Sequence, residues 1–160
     1  MATSLRGADL SGADLTGAVL IDVDLAGARL TGARLGDAKL VRADLGDAHL
    51  DGASLVETAL VEPKMRGARL AAADLTGARL DRADLRGADL SGTQLVRTAL
   101  PRADLTGASL RGARAEETIL VGAQVVRVDL TDATMEAVVL HGADLRGTRL
   151  PRSLRRCRFD

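Results

Sequence analysis

Two histidines, one cysteine and scattered serines and carboxylates are the side chains of this 160-residue chain that could do chemistry. His49 and His141 lie 92 residues apart, and a closed metal site needs three or four ligands, so the pair supplies no such site. Cys157 stands among Arg155, Arg156 and Arg158, with no histidine near it in sequence to act as its base. The serines have no paired base either. The glycines recur at a fixed spacing, and no G-x-x-x-x-G-K-[ST] phosphate loop occurs. The expectation is a chain without catalytic residues, without a metal and without a cofactor.

The elements that would have to position such residues are unusual. Hydrophobic residues make up 46% of the chain, yet Phe159 is its one aromatic and Trp and Tyr are absent. A core of mixed large side chains is therefore not expected. The formal net charge is zero, which argues against general nucleic-acid binding, and no aromatic platform exists for base stacking. A lone cysteine excludes an internal disulfide framework and fits a reducing compartment, so a cytoplasmic location is expected. No run approaches the ~18 apolar residues of a membrane span, and residues 1–8 lack a signal-peptide pattern. Twenty Arg against two Lys, Lys39 and Lys64, is the bias of a GC-rich bacterial genome.

A five-residue register organises nearly everything. Every fifth residue from Leu5 to Leu150 is apolar, 30 positions in all, of which 26 are Leu. The exceptions are Met65, Ala115, Val125 and Met135. Two residues before each stands a small side chain, Ala at 20 of the 30 positions, and two residues after them fall 15 of the 17 glycines. Ala8-Asp9-Leu10-Ser11-Gly12 and Ala143-Asp144-Leu145-Arg146-Gly147 show the unit.

Neither a helix nor a plain strand can use this register. Five residues at about 100° each would carry the Leu row around a helix. An odd period would alternate the faces of a strand. The register works if each unit is a short extended step followed by a bend. Ala and Leu two apart then point the same way, and the turn that restores the inward direction falls at the frequent Gly. The product is a solenoid with Leu and small residues filling a narrow axis, successive coils pairing through their backbones.

Thirty such units resemble the pentapeptide-repeat family, and the resemblance covers residues 5–150. It implies an all-β fold, a right-handed quadrilateral β-helix with four units per coil and about seven and a half coils. At ~4.8 Å per coil the rod would be roughly 36 Å long. The register breaks after Leu150, so the expected division is a β-helix over 1–151 and a basic C-terminal tail or end cap over 152–160. Cys157-Arg158-Phe159 reads as one last unit in a shifted frame. Phe159 is either a plug for the open end or part of a frayed tail. Pro63, at an inward small position and without an N–H, marks an expected weak point.

Four units per coil stack residues 20 apart on one face, and each face is named here by its first Leu. The Leu15 face gathers Asp14, Asp37, Glu57, Asp74, Glu116, Glu117 and Glu136 against Arg34, Arg97 and Arg114, a net charge of −4. It is the expected acidic partner face. On the Leu5 face Asp24, Asp44, Asp84, Asp104 and Asp144 form a row beside neutralising Arg66, Arg86 and Arg146. The Leu20 face is apolar. Of ten outward Val or Ile residues it carries seven: Val19, Ile21, Val41, Val61, Ile119, Val121 and Val139. About 2.5 would fall there by chance. Flat apolar strands left open mark an interface.

Two functions from different classes follow. The first is a non-catalytic, self-associating structural or protein-interaction module. Its stripe is apolar at both ends and charged at Arg79 and Asp81, which predicts a side-by-side antiparallel homodimer through the Leu20 face. The alternative comes from the resemblance, since some relatives mimic DNA, bind gyrase and protect it from poisons; others dimerise by an end, which would use Phe159. A duplex of ~36 Å carries ~21 phosphate charges, far above −4, so charge alone does not make this chain a mimic.

Overall fold

The computed structural model describes residues 3–151 and 153–159; Met1, Ala2 and two tail residues, Arg152 and Asp160, lie outside them. The fold is all-β, a right-handed quadrilateral β-helix. Each extended step pairs in parallel with the step 20 residues later, as in Asp9 with Arg29, Arg29 with His49 and His49 with Arg69. Three steps are long enough to be strands: β1 (Arg114–Glu116), β2 (Thr134–Glu136) and β3 (Leu154–Arg155), in the parallel order β1-β2-β3.

The backbone accounts for the five-residue unit position by position. In the Leu5 unit, Leu5 N–H donates to Asp24 O at 2.7 Å and Gly7 N–H to Ala26 O at 2.9 Å in the next coil. Ala8 N–H closes the turn on Leu5 O at 3.0 Å, and Asp24 N–H reaches back to Thr3 O at 3.0 Å. One donor per unit is left over, the N–H just after the inward Leu. Where the residue before that Leu is Asp, its carboxylate takes this donor. Asp9 accepts from Ser11 N–H at 3.1 Å, Asp74 from Thr76 N–H at 2.9 Å and Asp104 from Thr106 N–H at 3.0 Å. This is the Asx turn, and it explains why Asp so often precedes Leu here.

The residue two after the inward one is at the corner, with φ between 53° and 71° at every such position from Gly7 to Gly147. The third residue of a type II turn requires this left-handed conformation, which glycine adopts without steric cost. Fourteen of these 29 corners nevertheless carry a side chain, among them Asp37, Arg42, Glu57, Ala72 and Arg97.

The inward row forms the core. From Leu25 to Leu140 every inward position is at most 6% exposed, and Ala or Thr, with Pro63, Val128 and Val138, fills the space between. The buried Thr side chains are satisfied. Thr58 donates to Leu35 O at 2.7 Å, Thr98 to Leu75 O at 2.7 Å and Thr118 to Leu95 O at 2.5 Å. Pro63 is buried and forgoes only its turn bond; Glu62 N–H to Asp81 O at 2.8 Å and Lys64 N–H to Ala43 O at 3.0 Å keep the ladder on both sides. An apolar cavity of about 20 Å³ lies along the axis between Leu90 and Leu145, with Leu95, Ala115, Leu120 and Met135 among its walls.

The chain after Leu150 continues the solenoid with one residue fewer. Met135 pairs with Leu154 and Val139 with Arg158, a spacing of 19. Cys157 takes an inward small position and donates its thiol hydrogen to Met135 O at 3.7 Å, repeating the Thr-to-carbonyl pattern. Phe159 falls in register over Leu140 and remains 41% exposed, so with Leu150 and Leu154 it forms the apolar surface of that end.

Candidate functional site

The described residues contain no group of three or more His, Cys, Asp or Glu side chains able to hold a metal ion. His49 sits in a stack between Arg29 and Arg69. No helix among the described residues is long and apolar enough to cross a membrane. What the rod offers is its outer faces, and stacking decides what each one presents.

The acids of the Leu15 face divide into three settings. Asp14 and Asp74 stand mid-face as turn caps. Asp14 accepts from the Thr16 hydroxyl at 2.6 Å and lies 3.2 Å from Arg34 Nη2. The Thr16 hydroxyl first, then its N–H and Arg34, hold the Asp14 carboxyl below the usual carboxylate range. Glu116 and Glu136 stack on each other through the β1–β2 pairing. Arg114 Nη2 approaches Glu116 at 2.5 Å, and Arg156 Nη1 approaches Glu136 at 4.0 Å. The 19-residue closing coil thus lays Arg155 and Arg156 over the densest acidic cluster, which offsets much of that face's negative charge. Asp37, Glu57 and Glu117 are exposed corner residues with φ of 57°, 56° and 53°. They stand at the edge shared with the Leu20 face.

Elsewhere the charges neutralise one another within the rod. Arg29 meets Asp9 at 4.0 Å, Lys64 meets Asp44 at 3.6 Å and Arg111 meets Asp129 at 3.0 Å. Each pair contributes little to stability at such exposure. Together they remove the continuous negative potential that a duplex would present.

The Leu20 face keeps its apolar character in three dimensions. Val19 is 64% exposed, Ile21 49%, Ile119 40% and Val121 39%. Val41, Val61 and Val139 are half-buried between neighbouring coils. At its middle, Arg79 Nε lies 3.5 Å from Asp81 Oδ2, which is buried and accepts no hydrogen bond. Beside it runs a groove lined by Val61, Glu62, Asp81, Arg82, Pro101 and Val121.

Both edges of this face are charged. The leading edge carries Asp37, Glu57, Arg97 and Glu117; the trailing edge carries Asp22, Arg42, Glu62, Arg82 and Arg102. Ten of the 14 corners that border the Leu20 face bear side chains, against four of the 15 described corners elsewhere. Each costs about 1 kcal/mol of backbone strain relative to Gly. The strained corners are concentrated around the apolar face. A four-face reading of the sequence puts Asp37, Glu57 and Glu117 on the acidic face; a charged residue at the glycine spacing is the signal of their edge position.

A family model described as pentapeptide repeats matches eight copies, over residues 1–37, 28–62, 64–100, 100–136 and 121–150. No curated protein matches. Among solved structures, a trypsin-treated form of QnrB1, described as a plasmid-mediated fluoroquinolone resistance protein, superposes with a TM-score of 0.61 at 22% identity. The match covers 95% of this chain and 77% of that one. HetL, a pentapeptide repeat protein involved in heterocyst differentiation regulation in Nostoc, is 30% identical, with 97% of this chain and 82% of HetL covered and a TM-score of 0.35.

Proposed function

The chain belongs to the pentapeptide-repeat family, and we propose that it serves as a non-catalytic, self-associating interaction rod whose contact surface is the Leu20 face. The observation that carries this reading is the exposure of Val19, Ile21, Ile119 and Val121 on one flat face. Four large apolar side chains in one stripe gain from leaving water together, and a second copy of the same face supplies the complement. The rigid backbone ladder means that little ordering is required on contact. In this reading the protein is a homodimer of the bacterial cytoplasm, with no cofactor, and residues 153–159 close the end of the rod.

Light scattering tests it. Ile21→Asp combined with Ile119→Asp should give monomers with an unchanged circular dichroism spectrum, and deletion of 152–160 should leave the dimer intact. The reverse result would move the interface to the apolar end at Leu150, Leu154 and Phe159.

The alternative, a DNA-mimicking modulator of gyrase, draws on the exposed acids Asp37, Glu57 and Glu117 and on the cluster at Glu116 and Glu136. The Arg114 and Arg156 contacts weigh against it. A supercoiling assay decides between them. No inhibition is expected from the pure protein. Inhibition that Glu116→Lys, Glu117→Lys and Glu136→Lys together relieve would establish the alternative.

A further inference from the structure

The apolar stripe is too narrow to hold two copies together alone. From Leu20 to Leu140 it runs ~29 Å, and each step is roughly 10 Å across, giving about 300 Å². A stable complex covers about 800 Å² on each partner. The edges must therefore take part, and they are charged. Among the described residues no ion pair forms at Glu57, Arg97 or Arg102.

We infer that these edges fix the two copies antiparallel about the coil of Leu80, with Glu57 of each copy facing Arg97 of the other and Glu62 facing Arg102. The inference rests on the Leu20-face reading above and adds its register. A two-fold axis lying across the face reverses the coil order and sets each edge against itself. Glu57 and Arg97 lie one coil to either side of Arg79 and Asp81, so they meet; so do Glu62 and Arg102 on the other edge. Each contact occurs twice. Asp37 then approaches Glu117 of the second copy, and Lys39, next but one to Asp37 on the same coil, lies between the two carboxylates. Arg82 meets its own copy, but Glu62 at 3.1 Å and the adjacent Asp81 balance it. On the axis, the incompletely satisfied Asp81 carboxylate gains a second guanidinium.

The parallel arrangement sets one edge against the other at equal height. It gains Asp37 with Arg42, but it places Glu57 on Glu62 and Arg97 on Arg102, each twice. Like charges held together at a rim oppose association and exclude that register. The apolar ends of the stripe, from which the sequence predicts an antiparallel pair, would also meet in the parallel direction, so the edge charges make the choice.

Sedimentation equilibrium with charge-swapped variants tests the register. Glu57→Arg alone and Arg97→Glu alone should each weaken the dimer by about tenfold, and the two together should restore it to within about threefold of the parent. A dimer tightened by Glu57→Arg would establish the parallel register and overturn this one, as would two losses that simply add. Disulfide capture gives a second measurement. With Cys157→Ser as background, Val41→Cys and Val121→Cys chains should cross-link when mixed and not separately; cross-linking of Val41→Cys with itself would overturn the register. If the unmodified protein is a monomer at every concentration, the face itself fails, and with it this inference. A dimer indifferent to both charge swaps fails the register alone.

Discussion

Asp129 accepts both the backbone N–H of Thr131, at 2.9 Å, and its hydroxyl, at 2.6 Å, while Arg111 Nη1 lies 3.0 Å from the second carboxylate oxygen. The carboxylate of the recurring unit is thus part of the turn, tied to the one backbone donor that coil stacking leaves unmatched.

A pH dependence follows. The Thr131 hydroxyl and N–H, then Arg111, pull the Asp129 carboxyl down to about 2. A folded-state value below the unfolded one stabilises above about pH 4, and that stability is lost as pH falls through about 2. Asp9, Asp14 and Asp24 are lowered by the same kind of turn contact, and Asp84 and Asp144 by the Arg86 and Arg146 guanidinium first and the turn N–H after it, so all five reinforce the trend. Thermal melts from pH 5 to pH 2 should fall steeply below pH 4. Asp129→Asn keeps the acceptor and removes the charge, so its slope in that window should be smaller. An identical slope would remove Asp129 as a contributor.

The inward row is tested at mid-rod. Leu85 is fully buried. Leu85→Asp would place an unpaired carboxylate on the dry axis, at a cost of several kcal/mol, and should abolish folding. A soluble variant with the parent circular dichroism and a mild loss of stability would contradict the inward assignment.

The cavity at Ala115 predicts a gain. Ala115 stacks on Met135, lines the axial cavity, and is the one Ala in an inward row otherwise made of Leu, Met and Val. Ala115→Leu should stabilise by about 1 kcal/mol in chemical denaturation. A loss would show that Met135 and Leu95 already claim the space and that the larger side chain overpacks it.

Corner strain is measurable where nothing but a methyl group is involved. Ala72 has φ of 57°. Ala72→Gly should stabilise the rod by about 1 kcal/mol, the reverse of the usual helix result, because Gly accepts the left-handed corner. A destabilised variant would mean that unfolded-chain entropy outweighs the relieved strain.

The core row was legible residue by residue. Leu5 through Leu150, the small residues before them and the corners after them follow from the five-residue period. Direction inward or outward depends only on local backbone geometry, and a period that includes a turn repeats that geometry. The valine-bearing face was legible for the same reason, once four units per coil were assumed. The role of Asp before Leu was written in pairs such as Asp14 with Thr16 and Asp129 with Thr131, the spacing of an Asx turn, but it acquires meaning only when the other donors are seen to be used.

The sequence alone determined which side chains lie on the axis and which face outward, because those are consequences of one repeated local conformation. Tertiary structure decided which outward groups meet. Arg156 reaches Glu136 because the closing coil has 19 residues rather than 20, and Glu57 belongs to the edge of the apolar face because the corner turns its side chain between two faces. Both are properties of stacking, a relation between coils that no single five-residue unit contains.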